Sequence, residues 1–423
     1  MALIVTPHQR FWPLHAKPLR FDEIRGAMRL TIFKGTLMTD AASVSVRKNT
    51  RRTMTLSFAA IAAVVLASCS PTGGDKSAAG GKPTGTLHLY NWSDYIGPTT
   101  VADFTKETGI KVVYDTYDNN EIVETKLLTG GSGYDIVVPS NQVVARLISA
   151  KALAELDFAK LPNRKNLWPD ITSRMEAFDP GLKHSIPYMW GTVGVAYNID
   201  AIAKRLPGVP TDSWALALDP ANLAKLKDCG VMFLDSSEDV FPAVLNYLGL
   251  NPDSRNAADY AAATAHMEKL RPSIRKFHSS ELINALATGD ICLAVGYSGD
   301  MLQAKTRAEE AGDTVKLTYV LPKEGAQIWF DNMVIPADAP NPAAAHAFLD
   351  YIMRPEVIAK ASDYVSYANA NLASKPLVDE AVRGNPNVYP SDETLKKLFV
   401  VTVKDQTLLR DINRDWTKVR SGS

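Results

Sequence analysis

The chain has 423 residues, 46% of them hydrophobic and 22% charged, with 46 Lys and Arg balanced by 46 Asp and Glu. That length suggests two domains with substantial cores. A formal charge of zero, with no basic block in the folded part, argues against nucleic acid as a partner.

In chain order, the first signal lies at 47–69. The basic run Arg47-Lys48-Asn49-Thr50-Arg51-Arg52 precedes an apolar stretch from 56 to 67, and Leu66-Ala67-Ser68-Cys69 matches a bacterial lipobox. The stretch is short for a bilayer span and is flanked as a signal peptide is. Cleavage before Cys69 and lipidation of its thiol are expected; a buried helix with a chance cysteine is the alternative. Arg51-Arg52 leaves a twin-arginine route open, but the rest of that motif is poor, so Sec export is expected. Residues 1–37 do not resemble the start of a signal peptide, which admits an upstream extension of the reading frame with Met38 as the true start. Residues 1–68 are therefore set outside the fold. The segment 69–85, an anchor cysteine followed by Gly, Ser, Pro, Thr and Ala, reads as a flexible tether.

Folded structure is predicted from 86. Strands at 86–90, 111–114 and 135–139 alternate with helices at 99–108, 120–129 and 142–150, which implies a parallel sheet covered by helices. A second α/β set follows, with strands at 195–198, 230–234, 291–296 and 315–321. Its helices fall at 222–227, 240–248, 260–270 and 280–287. A helix-rich tail includes 342–353 and 392–399. With Cys69 assigned to lipid, Cys229 and Cys292 remain in a compartment that permits disulfides. A bridge between them is expected, against the alternative of two buried free thiols.

Three times an aromatic residue stands just ahead of an aspartate where an apolar run ends: Trp92-Ser93-Asp94-Tyr95, Tyr297-Ser298-Gly299-Asp300 and Trp329-Phe330-Asp331. An aromatic face attracts a cation and a carboxylate neutralises one. Three such pairs at strand ends read as a site for a small organic cation. Ser140 and the segment from Ser236 to Asp239 also follow strands, where ligands bind in open α/β sheets. Each residue has a bland alternative: an Asp at a strand end often caps the next helix, and a Trp is often core.

Catalytic signals are weak. The seven histidines show no metal-ligand spacing. Gly130-Gly131-Ser132-Gly133 lacks the Gly-Lys-Ser/Thr of a phosphate loop, and Gly296-Tyr297-Ser298-Gly299-Asp300 lacks the second glycine of a nucleophile elbow. No enzyme activity, metal or cofactor is expected.

From 87 to 421 the sequence resembles the periplasmic polyamine-binding proteins of bacterial ABC transporters, above all the putrescine receptors. The likeness is carried by LYNWSDYI at 89–96, FTKETGIKVVY at 104–114, PYMW at 187–190 and LNYLG at 245–249. LRP at 270–272, FHSS at 277–280, GDIC at 289–292, LPKEG at 321–325, YANAN at 367–371 and WTKV at 416–419 extend it. The resemblance implies an α/β fold of the type II periplasmic binding protein kind, two lobes joined by hinge crossings around a ligand cleft. Lobe 1 would take 86–188 and 331–375, and lobe 2 would take 189–330 and 376–423.

The resemblance also implies the Cys229–Cys292 disulfide and a set of ligand contacts: Trp92, Ser93, Asp94, Tyr95, Ser140, Asp239, Tyr297, Asp300, Trp329, Asp331 and Tyr367. Asp331 with Asp239 would hold one ammonium of a polyamine, and Asp94 with Asp300 the other. Three positions depart from the putrescine pattern: Asp239 stands for Glu, Tyr297 for Trp, and Trp329 for Phe as in spermidine-selective relatives. Both putrescine and spermidine therefore stay open, with putrescine favoured. The implied protein is a monomeric, lipid-anchored periplasmic receptor delivering polyamine to an ABC permease. A polyamine sensor, or a lyase or hydrolase on the same scaffold, is the alternative.

Overall fold

The computed structural model describes residues 84–312 and 315–422. All of them belong to the unit Asp75–Ser423. The lipobox with Cys69, the signal peptide, Met38 and nearly all of the tether lie outside the described residues.

The strands in chain order are β1 (Thr86–Trp92), β2 (Lys111–Tyr117), β3 (Ile136–Val137), β4 (Ser185–Asn198), β5 (Val231–Phe233), β6 (Lys276–Phe277), β7 (Leu293–Tyr297), β8 (Leu317–Val320), β9 (Ile328–Val334) and β10 (Ala368–Asn369). They form one path, β2-β1-β3-β9-β4-β7-β5-β6, with β10 and β8 also paired to β4. The predicted α/β class holds.

The first half of this sheet begins as expected, with β1 parallel to β2 and to β3. It is not a purely parallel sheet, because β9 runs antiparallel to both β3 and β4. In the second half, β5 is parallel to β6 and β7, while β4 is antiparallel to β7 and β8.

The long strand β4 joins the halves. Its residues up to Thr192 pair with β9, and those from Val193 pair with β7. Only its last four residues are apparent from periodicity. Nearly every residue of β4 is buried on both faces, so it lacks the alternation that marks a half-exposed strand. Pro187, Gly191 and Gly194 further disguise it. Close packing requires the last two to be glycine: a Cβ on Gly194 would stand 2.5 Å from the Tyr319 hydroxyl, and one on Gly191 2.6 Å from the Trp329 ring.

Trp329 and Asp331 correct a second expectation. They lie inside β9, not at a strand end, because Asp331 and Asn332 are buried in the sheet and the strand runs on to Val334. The predicted helix at 392–399 stops at Leu395. There tertiary pairing overrides helix propensity: Phe399 bonds through its N–H to Ala326 and through its carbonyl to Ile328.

Local chemistry fixes several boundaries that bear on the cleft. Asn119 caps the helix Asn120–Thr129 by accepting from the Ile122 N–H at 3.0 Å. The helix Ser298–Glu310 begins directly after β7 and the helix Ser237–Tyr247 follows β5 after three intervening residues, and they carry Asp300 and Asp239 in their first turns. Cys229 and Cys292 are joined by a disulfide, with Cα atoms 5.5 Å apart at a sequence separation of 63. Closing such a loop contributes about 4 kcal/mol in the chain-entropy account.

Candidate functional site

The cleft is built where the two halves of the sheet meet. Its walls include Trp92, Ser93, Tyr95, Ser140, Asp239, Tyr297, Asp300, Trp329, Asp331 and Tyr367, around a space of about 630 Å³ counted out to the mouth. Ten of the eleven residues singled out from the sequence thus share one cleft.

The loop after β1 is shaped by Asn91, whose Nδ2 donates to the Tyr95 carbonyl at 3.1 Å while its Oδ1 accepts from the Trp92 N–H at 2.8 Å. Trp92 is pinned through Nε1 to the Val138 carbonyl at 2.9 Å, and its ring rests on Tyr117 at 4.7 Å. The other rings form a chain of edge-on contacts. Tyr297 meets Trp329 at 5.5 Å, Trp329 meets Tyr367 at 5.3 Å, and Tyr367 meets Tyr95 at 5.2 Å. Such contacts hold ring faces in place for an apolar or cationic guest.

The three inner carboxylates are held by neutral donors. Ser140 Oγ donates to Asp331 Oδ1 at 2.6 Å, and Asn120 Nδ2 donates to the same serine at 3.1 Å. Tyr297 donates to Asp239 Oδ2 at 2.7 Å and Gln327 to Asp239 Oδ1 at 3.0 Å. Tyr367 donates to Asp300 Oδ1 at 2.8 Å and accepts from the Asp300 backbone N–H at 3.1 Å. These bonds orient the carboxylates without neutralising them.

Burial accordingly raises their pKa values, to about 7 for Asp331, about 7 for Asp300 and about 6 for Asp239. The hydroxyl donors oppose the rise, and mutual repulsion adds to it for Asp331, which feels Asp239 and Asp300. Five carboxylates line the cleft (Asp118, Glu238, Asp239, Asp300 and Asp331) with no Lys, Arg or His among the lining residues. Glu238 shares the Arg146 guanidinium with Glu124, at 2.7 Å and 2.8 Å. The others face a volume that lacks positive charge, the complement of a small cation.

Asp94 is the exception among the sequence candidates. Its backbone adopts φ 54°, a left-handed turn that Asp tolerates better than most residues. Its side chain turns outward, 44% exposed, and pairs with Arg307 at 3.1 Å. It does not line the cleft, although its charge helps raise the pKa of Asp300.

Sequence reasoning missed Asp118, Asn120, Gln142, Ser279, Ser280 and Ile283, all of which line the cleft, and Glu238 lies there too, inside the flagged segment from Ser236 to Asp239. Asp118 was within reach, since Tyr117-Asp118 repeats the aromatic-then-aspartate pattern at the end of β2. Among the described residues no group of three or more His, Cys, Asp or Glu is placed to hold a metal ion.

Gly299 allows the ring chain to close. A Cβ there would fall 2.4 Å from the Tyr367 ring. Gly299→Ala is expected to displace Tyr367, cost about 1–3 kcal/mol of stability by overpacking, and loosen the hydrogen bond to Asp300. Thermal denaturation and calorimetric ligand titration check both effects; unchanged values in each would show that the ring has room to move.

This geometry, a cleft between two α/β halves joined by the long strand β4, defines a binding protein of the two-lobed kind. Residues 99–390 match the family described as bacterial extracellular solute-binding protein, and the chain belongs to that family. It is 51% identical over 337 residues to the putrescine-binding periplasmic protein SpuD of Pseudomonas aeruginosa, covering 79% of this chain and 92% of that one. To the putrescine-binding periplasmic protein PotF of Escherichia coli it is 52% identical over 339 residues, 80% of this chain and 92% of the relative. Among solved structures, a putative spermidine/putrescine ABC transporter protein from Listeria monocytogenes superposes with a TM-score of 0.71 at 34% identity. That match covers 79% of this chain and 98% of the other. The type II periplasmic binding fold expected from the sequence is confirmed.

Proposed function

We propose that this protein captures a polyamine, putrescine in preference to spermidine, outside the cytoplasm and delivers it to an ABC transporter permease. The observation that carries this reading is the convergence of Asp239, Asp300 and Asp331 on one ring-lined cleft with no basic side chain in its walls. A diamine supplies the missing charge at both ends and an apolar chain between them. Burying four methylenes contributes roughly 3 kcal/mol.

Asp331, backed by Asp239, takes one ammonium. Asp300 takes the other, with Asp94 contributing its field from behind. Trp92, Tyr95, Tyr297, Trp329 and Tyr367 enclose the chain, and Ser93 and Ser140 orient acidic partners. The ligand is held and released unchanged: Ser298 Oγ is buried beside the Thr192 N–H at 3.3 Å, and no histidine lines the cleft to activate it. Residues 86–188 with 331–375 act as one lobe and 189–330 with 376–423 as the other, closing about the crossings. The protein works as a monomer tethered by a lipid on Cys69 on the periplasmic side of a bacterial membrane.

A thermal-shift panel of putrescine, cadaverine, spermidine, spermine and butylamine tests the reading. Putrescine at a hundred times its Kd stabilises by about 2.7 kcal/mol and is expected to give the largest shift, while butylamine, with one charge, gives little. No shift with any polyamine, or an equal shift with butylamine, would sink it. Recovery of unaltered ligand separates binding from turnover.

A further inference from the structure

Asp118 lies outside the inner trio. It follows β2, is half-buried where Asp239, Asp300 and Asp331 are buried, and lines the same cleft. Its Oδ1 accepts from Ser93 at 3.1 Å and from Ser280, residues that reach it from opposite halves of the sheet. Its Oδ2 carries no hydrogen bond among the described residues. Like the inner carboxylates it is oriented by hydroxyls and paired with no cation among the described residues; Glu238, the other outer carboxylate, shares Arg146 with Glu124.

The rings divide in the same way. Tyr95, Tyr297, Trp329 and Tyr367 form the inner chain, whereas Trp92 stands apart from it on Tyr117, the residue just before Asp118. The outer part of the cleft thus repeats the inner recipe: an aromatic wall, an oriented carboxylate, and Ile283 as apolar lining. A diamine brings two positive charges to a cleft in which four lining carboxylates, Asp118 among them, have no ion-pair partner among the described residues.

We propose that Asp118, with Trp92, forms an outer subsite for a third ammonium, so that the cleft also admits a linear triamine with its additional aminopropyl arm beside Ser93 and Ser280. This rests on the polyamine reading above. Because Asp118 is half-buried, its attraction for that ammonium weakens as salt is added, more steeply than that of the inner trio.

Calorimetric titration of the full mature chain with putrescine and with spermidine tests this in wild type, Asp118→Asn and Ser280→Ala. Asparagine keeps an oxygen to accept from both serines and removes only the charge. Asp118→Asn is expected to lower the spermidine-to-putrescine affinity ratio by about tenfold, the scale of one charge-assisted contact, and to flatten the salt dependence of spermidine binding. Ser280→Ala, which keeps the charge but removes one of the two hydroxyls that orient it, is expected to lower that ratio by less than Asp118→Asn does. An unchanged ratio in Asp118→Asn overturns the subsite, as does a wild type that binds putrescine but not spermidine; neither result touches the polyamine reading. Wild type that binds neither ligand overturns both. A ratio that falls equally in Ser280→Ala assigns the effect to closure and overturns the subsite.

Discussion

Asp331→Asn is expected to lower putrescine affinity by at least about 100-fold, whereas Asp94→Asn changes it by no more than about fivefold. The two residues carry the same side chain in opposite settings. Asp331 is 4% exposed, lies inside β9 and accepts a 2.6 Å bond from Ser140. An ammonium brought against it loses its water and depends on that charge for compensation. The amide keeps the shape but leaves the ammonium poorly neutralised. Asp94 is 44% exposed and already spent on Arg307, so its loss removes a screened field and a surface ion pair of small value. Calorimetry on both variants decides the matter. A larger loss in Asp94→Asn than in Asp331→Asn would reject the assignment of the ammonium sites for every polyamine tested.

The second large effect is a dependence on pH. Burial raises Asp300 and Asp331 to about 7 and Asp239 to about 6, while in an unfolded chain such groups titrate near 4. Between those values the folded, ligand-free protein holds protons that the unfolded chain releases. Its stability therefore falls as the pH rises from about 4 through about 7. A dication acts in the opposite sense, because it binds the ionised carboxylates and must expel protons wherever they are still held. Putrescine affinity is expected to rise by at least about 100-fold from pH 5.5 to pH 8, since two groups near 7 must both ionise. The thermal shift produced by ligand should grow over the same interval. Titration at pH 6 in two buffers of different ionisation enthalpy measures the protons released; a count of zero would show that the carboxylates are already charged in the free protein.

Gly299→Ala and Asp118→Asn separate two further contributions to the same cleft. The first disturbs the ring that clamps Asp300, and the second removes a charge from the rim. Their responses should differ in kind: the glycine variant affects stability and every ligand, the aspartate variant the ratio between ligands.

Much of this site was visible in the chain before folding. An aromatic residue beside an aspartate is a local feature, and so is the end of an apolar run, so Trp92, Tyr297, Asp300 and Asp239 could be placed near a crevice by sequence position alone. The alternation of short strands with helices from 86 to 150, and again from 230 to 296, likewise follows from neighbours a few residues apart. Contacts between distant segments could not be read in this way. The crossing strand β4 hides because burial on both faces erases its alternation. Asp331 is singled out by its aromatic neighbours, but its place inside β9 is not legible, because a buried carboxylate is tolerable only once Ser140, 191 residues away, donates to it. Asp94 and Asp331 look alike as text. Their difference arises from the surroundings each acquires on folding, where Arg307 captures one at the surface and burial leaves the other charge to be matched by a ligand.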